Sequence, residues 1–167
     1  MKKNLGGSVY SLGPHSIGMA LGFLDFDKDV EVVYSKTATA RTSGDGEDYV
    51  KIILTAPNKP LVDIEISSID AFSDYSIKLQ GSKGTLKSSV LDCVYKYTAD
   101  EENPSVAEGL NMRTEKIKFE GTALDIGTAE IYKDVFYALT ENKPLRVTNE
   151  QAKRIIEIIE KVYKQNA

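Results

Sequence analysis

The sequence predicts an α+β fold: a mostly antiparallel or mixed, open-faced sheet with helices packed on one face, within a single domain spanning 1–167. Three observations carry this. Short segments in the middle of the chain alternate apolar and polar residues with a period of two, as half-buried strands do. Short turn-forming links, too short for crossover helices, join them. Apolar stripes at helical spacing are confined to the two ends of the chain.

The first helix begins near Gly13-Pro14, where the missing proline N–H would be unpaired anyway. Ile17, Ala20, Leu21 and Leu24 form its stripe, and Asp25-Phe26-Asp27 ends it. Ahead of it, the Gly6-Gly7 pair leads into a short apolar strand end, as either a flexible entry or a loop approached closely by a ligand. Val30, Val32 and Tyr34 alternate with Glu31 and Ser35 in the first strand. Thr42-Ser43-Gly44-Asp45-Gly46 is a loop, and Tyr49–Thr55 is the second strand. After the Ala56–Pro60 turn, Val62, Ile64 and Ile66 oppose Asp63, Glu65 and Ser67.

Ile77 and Leu79 enter a hairpin through Gly81-Ser82-Lys83-Gly84, and Thr85–Ser89 returns. Lys83 resembles a phosphate loop only superficially, because no helix follows it. Leu91–Thr98 alternates again, with Tyr95 and Tyr97 on one side; Ala99–Arg113 is acidic and loop-like; Ile117 and Phe119 mark the last strand. Two helices close the chain. Thr122 is a candidate N-cap with Asp125 three residues on, before an Ile131, Tyr132, Val135, Phe136, Leu139 stripe. Thr148 and Gln151 form a second capping box, before Ala152, Ile155, Ile156, Ile159, Val162 and Tyr163.

Composition narrows the function classes. A chain with 41% hydrophobic and 28% charged residues is that of an ordinary globular protein. A net charge of −4 provides no global basic field for nucleic acid or anionic lipid, so neither is an expected partner. No window approaches the ~18 apolar residues of a membrane span and no signal peptide is visible, so the expected location is cytoplasmic. The single cysteine, Cys93, lies in a strand-like run and is expected to be a buried, inert thiol. No ligand spacing for a metal is present. Asp25, Asp27 and Asp29 alternate like part of a calcium loop, but that motif's glycine and distal glutamate are out of register.

The segment Gly6-Gly7-Ser8-Val9-Tyr10-Ser11-Leu12-Gly13-Pro14-His15 holds the only histidine. With the order of elements and the Leu79–Leu86 hairpin, similar to a family Gly-Thr-Lys-Gly turn, it resembles one domain of a known family. That is the C-terminal domain of the glucose–fructose oxidoreductase, inositol dehydrogenase and rhizopine-catabolism (Gfo/Idh/MocA) family, over nearly the whole chain. The resemblance implies a substrate-binding and oligomerisation domain of an NAD- or NADP-dependent oxidoreductase acting on a sugar, polyol or related hydroxyl compound.

His15 matches the family histidine that helps move the substrate hydroxyl proton, with Tyr10 and Ser11 as substrate-binding neighbours. Where the family has Asp four residues before and three residues after that histidine, this chain has Ser11 and Gly18. The family's Glu-Lys-Pro motif with its catalytic lysine is missing; Asn58-Lys59-Pro60 and Asn142-Lys143-Pro144 stand in the wrong contexts. No Gly-x-Gly-x-x-Gly fingerprint occurs either.

The expectation is therefore an excised or reduced domain that lacks the dinucleotide-binding part, binds no cofactor itself and is inactive alone. The tyrosines Tyr34, Tyr49, Tyr75, Tyr95 and Tyr97 fall in or beside strands, and the open sheet face is the expected surface of a homodimer. Two bland readings stand beside these. His15 near a helix N-terminus, where the dipole favours the neutral imidazole, can be purely structural. The whole chain can be a non-catalytic sheet module for self-association or for binding a partner protein.

Overall fold

The computed structural model describes residues 6–41, 43–73, 75–89, 92–98, 112–118 and 123–167. The elements run α1 (Ser8–Ser11), α2 (Gly13–Phe23), β1 (Glu31–Ala38), β2 (Tyr49–Thr55), β3 (Val62–Ser67), β4 (Ile77–Gly81), β5 (Gly84–Ser88), β6 (Asp92–Thr98), β7 (Met112–Lys118), α3 (Ala123–Glu141) and α4 (Asn149–Gln165). They divide into two units, Met1–Ala71 with Pro144–Ala167, and Phe72–Lys143.

In the first unit β1, β2 and β3 form an antiparallel sheet in that order. Alternation in β2 turns Val50, Ile52 and Leu54 inward, facing Ile66, Ile64 and Val62 across the ladder. β1 breaks the simple alternation. The register slips between Val32 and Tyr34, so Val32 and Ser35, three apart, are both buried while Val33 is exposed. A bulge inserts one residue against its partner strand and re-phases the remainder of the strand. The inward Ser35 hydroxyl donates to Gln165 Oε1 at 2.6 Å and accepts from Asn166 Nδ2 at 2.9 Å, so its burial is satisfied.

Helices α1, α2 and α4 cover the inner face. Val9, Ile17, Leu21, Leu24, Ile158, Ile159 and Val162 join the inward strand residues in one apolar cluster. The expected strand end before Gly13 is instead the single helical turn α1. Asp25 and Phe26 adopt positive φ just after α2. The Thr148–Gln151 capping box opens α4 as expected. The apolar stripe of α4 is rotated from the expected one: Ile158 is fully buried, whereas Ile156 and Ala152 are exposed. Arg154 ties α4 to the α2–β1 connection, donating through Nη2 to the carbonyls of Lys28 (3.0 Å) and Val30 (2.8 Å).

The second unit is an antiparallel meander, β4-β5-β6-β7. Gly81–Gly84 makes the expected hairpin. At Gly84 a Cβ would overlap the Lys96 carbonyl oxygen and stand 2.9 Å from Tyr97 Cα, so only glycine lets β5 approach β6. Met112 and Arg113, expected in a loop, belong to β7; residues 99–111 of that segment lie outside the described residues, as do Leu91, Phe119 and the Thr122 cap. Tyr95 and Tyr97 stack with ring centroids 5.6 Å apart, and both hydroxyls donate to the Glu115 carboxylate across the ladder. Cys93 is buried on β6 as expected. On α3, the predicted stripe residues Ile131, Tyr132, Val135, Phe136 and Leu139 are exposed.

Candidate functional site

Gly7 has φ +127° and ψ 167°, a conformation essentially restricted to glycine. It turns the chain into α1 directly against Glu47, which lies at the entry to β2. Ser8 N donates to the Glu47 carbonyl (2.9 Å) and Val9 N to the Glu47 side chain at Oε1 (3.1 Å). Ser11 closes the turn through its N–H and hydroxyl, both donating to the Gly7 carbonyl (3.1 and 2.9 Å). A carboxylate 38 residues away along the chain thus supplies the N-terminal acceptor that no α1 side chain provides.

The neighbouring carboxylate anchors the backbone at Ala40 and Arg41, just past β1. Asp48 Oδ1 accepts from Ala40 N and Oδ2 from Arg41 N, both at 2.7 Å. Ser68 N in turn donates to the Asp48 carbonyl (2.9 Å). Glu47 and Asp48 are each only 3% exposed. Between the α1 entry, the β1–β2 connection and the end of β3 lies a cavity of about 400 Å³, lined by Gly7, Ser8 and Ser11, by Arg41, Gly44 and Gly46, and by Glu47, Asp48 and Ser68. Three serines and one guanidinium place hydrogen-bonding groups on a lining whose accessible surface is mostly apolar, and the glycines let a ligand approach the backbone closely.

The closing helix reaches this site from behind. Tyr163 donates its hydroxyl to Glu47 Oε1 (2.7 Å), and its ring stacks on Tyr10 with centroids 5.1 Å apart. Tyr10 in turn donates to Glu160. That bond, helped by burial, raises the Tyr10 pKa to about 12. Burial first, and then the bond to Glu47, hold the Tyr163 phenol above its ordinary range.

Of the residues singled out in the sequence, Ser11 lines the cavity, while Tyr10 and His15 are not among its lining residues. Tyr10 is engaged with α4. His15 is exposed on the first turn of α2, its N–H donating to the Leu12 carbonyl (3.2 Å). Gly18 is half-buried, and a Cβ there would stand 3.1 Å from Ile155 Cδ1, so close packing of α2 on α4 occupies the place of the family's second carboxylate. Sequence reasoning missed Arg41, Glu47, Asp48 and Ser68. The usable signal was two adjacent carboxylates at the mouth of an apolar strand, where burial demands partners.

Two carboxylates of the Asp25–Asp29 turn have partners within the protein: Lys59 Nζ, from the β2–β3 turn, meets Asp25 Oδ2 at 2.6 Å, and Asp29 N donates to Asp27 Oδ1 at 2.8 Å. Among the described residues, no group of three or more His, Cys, Asp or Glu side chains is placed to hold a metal ion, and no helix is long and apolar enough to cross a membrane.

The profile described as the oxidoreductase family, C-terminal alpha/beta domain (Gfo/Idh/MocA), matches residues 1–167. No curated protein matches the sequence. Among solved structures, the chain is similar to the oxidoreductase yvaA of Bacillus subtilis (TM-score 0.75, 18% identity, 98% of this chain and 50% of that one). It is also similar to an oxidoreductase of Bacillus cereus (TM-score 0.75, 16% identity, 98% and 49%). A third is an oxidoreductase of Agrobacterium radiobacter, in complex with NAD+, L-tartaric acid and magnesium (TM-score 0.67, 14% identity, 93% and 46%). The chain thus spans about half the length of these structures, and the likeness lies in the fold.

Proposed function

The chain belongs to the Gfo/Idh/MocA oxidoreductase family through its C-terminal alpha/beta domain, and from this premise we propose that it is a substrate-binding and oligomerisation domain. Its substrate would be a sugar, polyol or related hydroxyl compound, and the cavity beside Ser11 is the observation that carries the reading. Serine hydroxyls both donate and accept, as recognition of a polyhydroxylated molecule requires. The Agrobacterium relative, whose structure holds NAD+ and the hydroxy acid L-tartaric acid, lends support at the level of fold.

The residues present do not fit a dinucleotide. The 167 residues contain no Gly-x-Gly-x-x-Gly, and both sheets are antiparallel, whereas the dinucleotide cradle is built from parallel βαβ units. Hydride transfer is accordingly not a property of this chain alone. His15 is the proton-relay candidate of the intact enzyme; it is exposed on the first turn of α2, outside the lining of the Ser11 cavity.

Self-association belongs on the face of the β1–β3 sheet opposite the helices. The Tyr34–Ile53–Asp63 row crosses it, with Tyr34 51% exposed. Sedimentation velocity at tens of micromolar should give a dimer that Tyr34→Glu weakens; a wild-type monomer refutes the assignment.

Fluorescence titration with NADH and NADPH, beside an NMR titration with a panel of polyols and hydroxy acids, tests the functional reading. Ligand-induced shifts at Ser8, Ser11 and Ser68 without cofactor binding are expected. Cofactor binding at micromolar concentration overturns the inactivity, and failure of every hydroxyl compound to bind leaves only a self-association module.

A further inference from the structure

We propose that the cavity selects a polyhydroxy carboxylate, such as a sugar acid, over the corresponding neutral polyol, and that Arg41 is the residue that makes the selection. The inference rests on the reading of the cavity as the substrate site. Arg41 is, among the described residues, the one cationic side chain lining it. Among the described residues, no carboxylate pairs with its guanidinium.

The acidic groups nearby do not supply that pairing. Asp48 directs its two oxygens at the N–H groups of Ala40 and Arg41, and Glu47 Oε1 is taken by Val9 N and Tyr163 Oη. Their placement is opposite to what recognition of a neutral sugar requires. Neutral sugars are typically held by carboxylates that accept from vicinal hydroxyls, and here the carboxylates accept from the protein itself. The cavity is left with a planar donor fork and serine hydroxyls. A guanidinium matches a carboxylate with two parallel charge-assisted hydrogen bonds, which a hydroxymethyl group cannot reproduce. Ser11, whose hydroxyl proton goes to the Gly7 carbonyl and whose oxygen is left to accept, and Ser68 then meet the hydroxyls of the polyol part of the same molecule. The Asp48 anchor on Arg41 N fixes the backbone that carries the guanidinium, so the donor is positioned by a buried group although its head is exposed.

D-gluconate and D-glucitol differ at one end of the same carbon skeleton, as a carboxylate against a hydroxymethyl group. Titrating the full chain with each, read by amide shifts at Ser8, Ser11, Gly46 and Ser68, should give gluconate an affinity about 10- to 100-fold the higher, the range for hydrogen bonds to charged groups. Arg41→Gln, a surface substitution that leaves the Arg41 N to Asp48 bond available, should bring gluconate down to the level of glucitol. Gluconate binding to the wild type should also weaken as salt rises, while glucitol binding should not. Equal affinities in the wild type overturn the selection and leave the substrate-site reading standing. A gluconate preference that survives in Arg41→Gln overturns the role of Arg41. Binding of neither compound overturns both the inference and the reading beneath it.

Discussion

Replacing Gly7 by alanine tests whether the start of the chain is built on Glu47. Two effects act at the position. At φ +127° and ψ 167° an L side chain is strained by about 1–3 kcal/mol. A Cβ would also overlap the Glu47 carboxylate, which is 3% exposed and accepts from Val9 N and Tyr163 Oη. Driving that carboxylate away leaves a buried donor unsatisfied, worth about 1–3 kcal/mol more. The expected loss is about 2–6 kcal/mol, a large part of the ~5–15 kcal/mol that holds a typical domain. The chain has no tryptophan, so urea unfolding followed by far-UV circular dichroism is the assay.

Gly22→Ala is the internal control. Gly22 lies on an exposed position of α2 with nothing within 4 Å of an added Cβ, and alanine there should stabilise by about 0.5–1 kcal/mol. A double-mutant cycle with Glu47→Ala separates the two effects at Gly7, because only the carboxylate overlap disappears when Glu47 is truncated. A Gly7→Ala loss below about 1 kcal/mol would refute the reasoning as a whole. Strict additivity with Glu47→Ala would refute the part that runs through the carboxylate.

Three further outcomes are expected. Tyr10 and Tyr163 ionise in the unfolded chain near pH 10 but at higher pH when folded. Their stabilisation is therefore complete below pH 10 and declines as pH climbs above it, the Tyr10 part being lost through about pH 12 and the Tyr163 part at higher pH. Tyr163→Phe should flatten that alkaline decline, and stability curves that run parallel between pH 9.5 and 12 would contradict the network. Arg154→Ala removes the two carbonyl contacts and the Glu157 pair, and should cost about 1.5–3 kcal/mol in urea unfolding; a change under about 0.5 kcal/mol would show that the Arg154 contacts add nothing to the docking of α4. Gly84→Ala forces a side chain into the Lys96–Tyr97 backbone, so hydrogen-exchange protection of β5 and β6 should fall while that of β2 persists. Unchanged β5–β6 protection would mean that the hairpin accommodates the added methyl group.

What the sequence discloses depends on whether the determining interaction is local. The strands Tyr49–Thr55 and Val62–Ser67 are legible because each alternation specifies its own buried face. The Thr148–Gln151 capping box is legible because both partners lie within one turn. The bulge at Val33 is not, because Val32, Val33 and Tyr34 are all good strand residues and only pairing with β2 selects the inserted one. The face of α4 is similarly ambiguous: Ile155, Ile156, Ile158 and Ile159 suit more than one helical phase, and docking on the sheet chooses Ile158 over Ile156. At the site, Ser11 was found through a motif. Arg41 lies in a loop of small and acidic residues whose geometry depends on Asp48, and nothing next to Arg41 in sequence distinguishes it from a solvated cation.

The same distinction explains how Ser11 comes to line a cavity. A four-residue helix has too few hydrogen bonds to be stable by itself, so the direction of α1 is set by what grips its ends. The grip at the N-terminus is the Glu47 carboxylate on Val9 N, and that carboxylate is itself engaged by Tyr163 of α4, which stacks on Tyr10 of α1. Tyr10 therefore serves the site through packing: it fixes the turn on which Ser11 is the next residue. Loss of the Tyr163 hydroxyl should move Ser11 more than it moves Arg41, because Arg41 is anchored separately by Asp48. Ligand affinity in Tyr163→Phe should fall chiefly through contacts of the serine side, leaving the preference for a carboxylate intact. If the preference and the overall affinity fall together, the two walls of the cavity are not independently held.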